Sequence, residues 1–139
     1  MSSLSIETID HLLKIAFWVG AITDAFAILP MLSRRVGVAL FGGDSNGGKD
    51  EYRFAMGIGA SLMAGWTLLL LWGSANPIER RALLLLTICP VITGIVIASV
   101  IAARRGVVLR SRLIPLWIHL GVVSIFYGVV YALSSSLVR

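Results

Sequence analysis

The chain has 139 residues, of which 58% are apolar and 14% charged, and its mean hydropathy is +0.91. Soluble domains are closer to about half apolar and a quarter charged, and disordered chains combine low hydrophobicity with high net charge. The composition therefore excludes disorder and argues against a water-soluble domain. A chain of this length predicts one domain, and its formal net charge of +5 makes the position of the basic residues informative.

Four apolar segments are long enough to cross a bilayer, which takes about 20 residues of helix. They cover residues 12–32, 54–73, 82–103 and 113–133. None of them alternates apolar and polar residues as a barrel strand does. Because backbone groups in lipid must be satisfied within the segment, the sequence predicts an all-α, four-helix transmembrane bundle forming a single integral membrane domain, 1–139. A soluble four-helix bundle is the alternative, but the segments lack its polar outer faces.

The residues before the first span do not have the pattern of a cleaved signal peptide. Glu7 and Asp10 lie in this stretch and only Lys14 is basic, whereas a signal peptide begins with a basic region. Residues 5–11 are therefore predicted to form an interfacial lead-in. The single cysteine, Cys89, lies within the third span and gives no information about redox compartment, because it cannot form an internal disulfide.

The lysines and arginines of the short loops predict the orientation in the membrane. Eight of the twelve lie in loops 1 and 3, namely Arg34, Arg35, Lys49, Arg53, Arg104, Arg105, Arg110 and Arg112. The other four, Lys14, Arg80, Arg81 and Arg139, lie at the termini and in loop 2. This bias predicts a multi-pass protein of the cytoplasmic (inner) membrane, with loops 1 and 3 in the cytoplasm and both termini outside.

Loop 3 carries four arginines in nine residues and no acidic residue. Anionic headgroups attract each such cation by about 1 kcal/mol, so Arg104, Arg105, Arg110 and Arg112 are predicted to bind headgroups, and membrane lipids are expected partners. Nucleic acid is not an expected partner, because the loops are too short to present a basic reading surface.

Asp24 is the only acidic residue within a predicted span, and it lies roughly 12 Å deep at 1.5 Å of helix rise per residue. Small neighbours such as Gly20 allow close helix approach, so Asp24 is predicted to point into the bundle, with Thr23 beside it. His119, about 9 Å deep from the same side, lies at a similar depth. A buried Asp–His pair can move a proton or bind a cation. It can also fix helix packing, or the two residues can be unrelated. Tyr127 lies on a mildly polar flank of the fourth span and is a further candidate for this polar site.

Small residues recur every four positions on the second span, at Gly57, Ser61 and Gly65. Together with Gly20 on the first span, they predict close helix packing, either against an internal neighbour or against a second subunit.

Pro90 is predicted to kink the third span, with Thr87 or a neighbour compensating for the lost hydrogen bond. Trp72 and Trp117 lie near span ends, where they are predicted to act as interfacial anchors.

No catalytic, metal or cofactor motif is complete. Residues 43–49 fit the letters GxxxxGK, but Asp50 stands where a phosphate loop needs Ser or Thr and no strand precedes the motif. This segment is predicted to be a cytoplasmic turn. His11 and His119 lie at opposite ends of the bundle and cannot share a haem. We therefore predict no cofactor, no metal and no catalytic residues.

The hairpin formed by GWTLLLLW (65–72), NPIERR (76–81) and Thr87 resembles a family of small uncharacterised prokaryotic four-helix integral membrane proteins. The resemblance implies the four-helix architecture and no particular activity. Four short helices with one acid in the first also look like the layout of small multidrug-resistance transporters, by analogy of fold alone. The residue pattern of those transporters is not evident here, and the loop charge bias argues against their dual-orientation dimers.

Two functions from different classes follow from these features. The first is a non-enzymatic membrane component that associates with itself, with another membrane protein or with lipid, and it is motivated by the small-residue face. The alternative is a proton-linked transporter or channel, with Asp24 as carrier, His119 as coupling partner and Tyr127 in the path. A membrane enzyme using Asp24 and His119 as acid and base would need a side-opening cavity that reaches both residues.

Overall fold

The computed structural model describes residues 5–42 and 50–136, with only the backbone described for 50–52. The elements in chain order are α1 (Ile6–Leu32), α2 (Arg34–Phe41), α3 (Asp50–Ala75), α4 (Ala82–Leu86), a π-helical segment (Thr87–Ile92), α5 (Thr93–Arg104) and α6 (Arg110–Ser136). No strand occurs in the described ranges, which confirms the all-α prediction. The GxxxxGK letters at 43–49 lie outside the described residues.

Four helices are long and apolar enough to cross a membrane, as predicted. They are Ile6–Leu32, Arg53–Ala75, Ala82–Arg104 and Arg110–Ser136. The first begins earlier than the predicted span because Ser5 caps it, with the Ser5 Oγ accepting a hydrogen bond from the Thr8 amide at 3.2 Å. An ion pair of 2.7 Å between Asp10 and Lys14 supports the next turn. The predicted lead-in is therefore the first part of α1 itself.

Helix α1 packs against both α3 and α6, and α6 packs in turn against the third span. Gly73 on α3 makes room for the fully buried Phe17 ring, since a Cβ atom at Gly73 would lie 2.6 Å from the Phe17 Cε1. Gly20 on α1 lies beneath the Tyr127 hydroxyl of α6 and faces Leu70 of α3. Gly20 therefore lies at a close contact of α1 with α3 and α6.

The kink predicted at Pro90 is confirmed. The π-helical segment interrupts the third span, Cys89 has non-helical dihedral angles (φ −131°, ψ 107°), and the Cys89–Pro90 peptide is cis. The Thr93 hydroxyl donates to the Ile88 carbonyl at 2.9 Å, an acceptor that also receives the Thr93 backbone N–H. The Thr87 hydroxyl donates to the Leu83 carbonyl at 2.8 Å. It also accepts a hydrogen bond from the Trp66 indole of α3 at 3.3 Å, which joins the broken span to its neighbour.

Two tryptophans near span ends have different surroundings. The Trp117 indole donates to the buried Ser99 hydroxyl at 2.7 Å and so links α6 to α5, a structural contact that the prediction of an anchor did not include. Trp72 is exposed, and the Arg80 guanidinium lies 3.5 Å from its ring centroid.

Helix α2 is not among the predicted elements, because it lies in the segment interpreted as loop 1. It begins directly after Ser33, where ψ is 109° and the path of α1 ends. Gly37 packs against the last turn of α1, since a Cβ atom there would lie 2.9 Å from the Pro30 carbonyl oxygen. The Arg112 guanidinium of α6 donates to the Ala39 carbonyl at 3.1 Å. Helix α2 thus bridges the end of α1 and the start of α6.

Candidate functional site: a buried polar cluster between α1 and α6

Asp24 points into the bundle, as predicted, and its residue surface is only 8% exposed. Its Oδ2 atom is buried and has no hydrogen-bond partner among the described residues. Burying an ionised carboxylate without a partner is expensive, and more so within a membrane. A carboxyl group buried in this way is stable only if it binds a partner or carries a proton.

Tyr127 on α6 is the second member of the cluster, and it is fully buried. Its hydroxyl lies over Gly20, one helical turn before Asp24, and is also without a hydrogen-bond partner in the described part of the chain. The sequence places Tyr127 on a mildly polar flank of the fourth span, whereas the structure places it in the core. Two buried oxygen groups, one carboxyl and one phenol, therefore face the same α1–α6 contact.

His119 does not pair directly with Asp24. Its Nε2 lies 3.5 Å from the Thr23 Oγ1, and within the described residues no hydrogen bond or ion pair joins it to Asp24. The reason is helical geometry: Thr23 and Asp24 are consecutive and so point about 100° apart around α1. Thr23 faces the edge of α6 that carries His119, whereas Asp24 faces the core.

His119 is exposed at the surface of the bundle, and Thr23 is half-buried beside it. His119 and Tyr127 are separated on α6 by eight residues, or about 12 Å of helix. The site therefore has an inner part, Asp24 and Tyr127, and an outer part, Thr23 and His119. Arg53, a basic side chain at the start of the second span, is exposed and forms no ion pair in the described structure.

The inner part brings together two groups suited to proton and hydrogen-bond exchange, a carboxyl and a phenol. No group of three or more His, Cys, Asp or Glu side chains able to hold a metal ion occurs among the described side chains, those of 5–42 and 53–136. Hard cations such as Ca²⁺ take about six to eight oxygen ligands, and the inner part supplies one carboxyl group and one hydroxyl. A carboxyl and a phenol can instead exchange donor and acceptor roles when one proton is gained or lost.

The small-residue face of the second span lies on the outside of the bundle. A Cβ atom at Gly57 or Gly65 would meet nothing within 4 Å. A shallow groove covers part of this face, and it is lined by Phe54, Gly57, Ile58, Ser61 and Leu62. The Ser61 hydroxyl donates to the Gly57 carbonyl of its own helix at 3.0 Å. No helix of the described chain packs on this face, so of the two predicted neighbours the internal one is wrong for Gly57 and Gly65.

The arginines at the two ends of the bundle differ in their contacts. At the loop 2 end, Arg80 donates to the Trp72 carbonyl and Arg81 to the Ile78 carbonyl, the latter at 2.9 Å. Of the predicted headgroup ligands, Arg104, Arg105 and Arg110 are exposed. Arg112 is exposed as well, and its guanidinium also donates to the Ala39 carbonyl of α2, which gives it a structural contact within the protein.

No family model, no curated protein and no solved structure matches the chain. The resemblance carried by residues 65–87 stays a prediction.

Proposed function

We propose that this chain is a proton-linked membrane transport protein in which the Asp24 carboxyl takes up and releases the proton. One observation carries the proposal: the buried Asp24 Oδ2 and the buried Tyr127 hydroxyl both lack partners in the described structure. A purely structural intramembrane acid would be expected to have a hydrogen-bond partner that fixes the packing of two helices. An acid without one is suited to changing its protonation state.

Tyr127 and His119 have separate roles in this proposal. The Tyr127 hydroxyl donates to the carboxylate when Asp24 is ionised and accepts from the carboxylic acid when it is protonated, with the Asp24 side chain as the group that turns between the two states. His119 lies at the exposed end of the cluster and contacts Thr23, the residue next to Asp24. Histidine is the side chain best suited to exchange protons near neutral pH, so His119 is the coupling partner between the outside of the bundle and Asp24.

Proton flux into liposomes tests this proposal. Asp24→Asn keeps the shape of the side chain and removes its ionisation, so we expect flux to fall to that of protein-free liposomes, measured with an enclosed pH-sensitive dye under an imposed membrane potential. Asp10→Asn is the matched control, because Asp10 lies on the same helix but forms an ion pair at the surface; its flux should equal that of the wild type. Equal flux for the wild type and Asp24→Asn would contradict the proposal.

A second function, self-association, is supported by the exposed face of α3. A helix face with Gly57 and Gly65 free of neighbours lets the backbone of another helix approach closely. The groove lined by Phe54, Ile58 and Leu62 adds apolar side chains that a second copy of α3 can pack against. We propose that two copies of the chain meet at this face.

Gly57→Leu tests the proposed interface, because leucine fills the groove without weakening the helix. We expect the dimer in mild detergent to dissociate at least about tenfold more readily, which corresponds to about 1.4 kcal/mol, as measured by native mass spectrometry over a dilution series. Gly121→Leu is the control, since Gly121 on α6 is equally free of neighbours but lies outside the groove. A wild-type chain that is strictly monomeric contradicts self-association.

The proposed orientation places loops 1 and 3 in the cytoplasm and the termini outside, in the inner membrane. The excess of lysine and arginine in loops 1 and 3 supports this arrangement. Arg104, Arg105 and Arg110 are exposed at that end, which is where contact with anionic headgroups is proposed.

A further inference from the structure

We propose that α2 lies in the plane of the membrane interface and binds anionic phospholipid, with Val36 and Leu40 in the acyl region and Arg34 and Arg35 at the headgroups. This inference concerns the end of the bundle at which α1 ends and α6 begins, and it does not depend on proton transport at Asp24.

The sequence of α2 gives it two different sides. Val36 and Leu40 are four residues apart and share one face, and they are 36% and 53% exposed. Arg34 and Arg35 lie on the opposite side by the 100° spacing of helical residues, and both are exposed. Short helices with an apolar face and a basic face lie in the membrane interface, with the apolar side about 5–10 Å below the headgroup boundary.

Two contacts hold α2 at the level of the membrane surface. Gly37 packs on the Pro30 carbonyl in the last turn of α1. The Arg112 guanidinium in the first turn of α6 donates to the Ala39 carbonyl near the end of α2, where a cation also interacts favourably with the helix dipole. An isolated eight-residue helix would be marginal in water. These contacts therefore fix both its structure and its position between the ends of two spans.

Charge complementarity identifies an anionic lipid as the occupant. At the loop 2 end, Arg80 and Arg81 are bound to backbone carbonyls. Arg34 and Arg35, in contrast, form no hydrogen bond or ion pair among the described side chains and lie beside exposed apolar residues. A free phosphate ion would use the two arginines but not Val36 and Leu40, whereas an anionic phospholipid uses all four.

Lipid retention tests the charge component. The full chain is placed in nanodiscs of equal phosphatidylglycerol and phosphatidylcholine, and the lipids that stay bound are counted by native mass spectrometry. We expect phosphatidylglycerol to be enriched on the wild type, and Arg34→Gln/Arg35→Gln to reduce that enrichment by up to about thirtyfold, from about 1 kcal/mol per arginine. Arg80→Gln/Arg81→Gln removes the same charge at the other end and should keep the enrichment. Loss of enrichment in both variants, or in neither, would overturn the proposal.

A depth measurement tests the insertion component. With Cys89→Ala as background, a spin label is attached to Leu40→Cys or to Arg35→Cys in vesicles containing phosphatidylglycerol. We expect the label at position 40 to collide with oxygen dissolved in the acyl region and the label at position 35 to collide with a water-soluble nickel reagent. If position 40 is as accessible to the aqueous reagent as position 35, α2 stands away from the lipid and the proposal is wrong, even where the lipid counts agree.

Discussion

Gly20→Ala is expected to destabilise the bundle, although the same change normally stabilises a helix. A Cβ atom at Gly20 would overlap the Tyr127 hydroxyl and would lie 3.0 Å from the Leu70 Cδ1. Tyr127 is a rigid and fully buried side chain, so it cannot move aside without disturbing the core. Overpacking of this kind costs about 1–3 kcal/mol, and it opposes a gain in helix propensity of up to about 1 kcal/mol.

Gly121→Ala is the control that isolates the steric cost, because nothing lies within 4 Å of the added atom and Gly121 lies outside the proposed dimer face. The free energies of unfolding of both variants are compared by titrating detergent-solubilised protein with a denaturing detergent. We expect Gly20→Ala to be less stable than Gly121→Ala by about 1–3 kcal/mol. Tyr127→Phe in the Gly20→Ala background should recover most of the loss, since it removes the overlapping oxygen and leaves the ring Cζ at 3.4 Å. Equal stability of the two alanine variants would show that the α1–α6 contact is looser than described.

The spans could be predicted from the sequence because apolar length is a local property of the chain. The third predicted span, 82–103, differs by a single residue from the helical region Ala82–Arg104. The inward direction of Asp24 could be predicted for the same reason, since its small neighbours lie on its own helix. The position of the kink at Pro90 also follows from one residue's missing amide hydrogen.

Contacts between helices could not be predicted, because they depend on how each helix is rotated about its axis. Gly20 and Gly57 belong to similar small-residue patterns, yet one lies beneath Tyr127 and the other faces outward. The similar depths of Asp24 and His119 suggest that the two side chains pair. In the structure, however, α1 is rotated so that Thr23, the residue next to Asp24, faces His119. The depth of a residue in the membrane can be predicted from the sequence, whereas the direction in which it faces around the helix axis cannot.

Helix α2 could have been found from its own pattern. Ser33 precedes it at a position that favours helix starts, and Val36 and Leu40 recur at helical spacing. A helix of eight residues, however, gives a much weaker periodic signal than a span of about 20 apolar residues. The contact of Arg112 with Ala39 joins residues 73 positions apart, so only the folded chain reveals what holds this helix in place.

Asp24→Leu is expected to raise the free energy of unfolding while abolishing proton flux. Transfer of an aspartate to the middle of a membrane helix costs about 2.5–3.5 kcal/mol, and the Asp24 Oδ2 has no partner in the described structure to offset this cost. Leucine at this position removes the cost and adds apolar contact. Because the unfolded chain in detergent also carries the acid, the expected gain is smaller, about 1–3 kcal/mol. The same titration with denaturing detergent measures it.

Thr87→Val is the control with the opposite expected sign. Thr87 is as buried as Asp24, but its hydroxyl donates to Leu83 and accepts from Trp66. Its removal leaves the Trp66 indole without that partner and should cost about 1 kcal/mol. If Asp24→Leu destabilises the bundle as Thr87→Val does, Asp24 has a structural partner, and the proton-carrier proposal loses the observation on which it rests. If Asp24→Leu stabilises the bundle and Thr87→Val destabilises it, Asp24 lowers the stability of the fold. Such a cost is expected of a residue that is retained for its function.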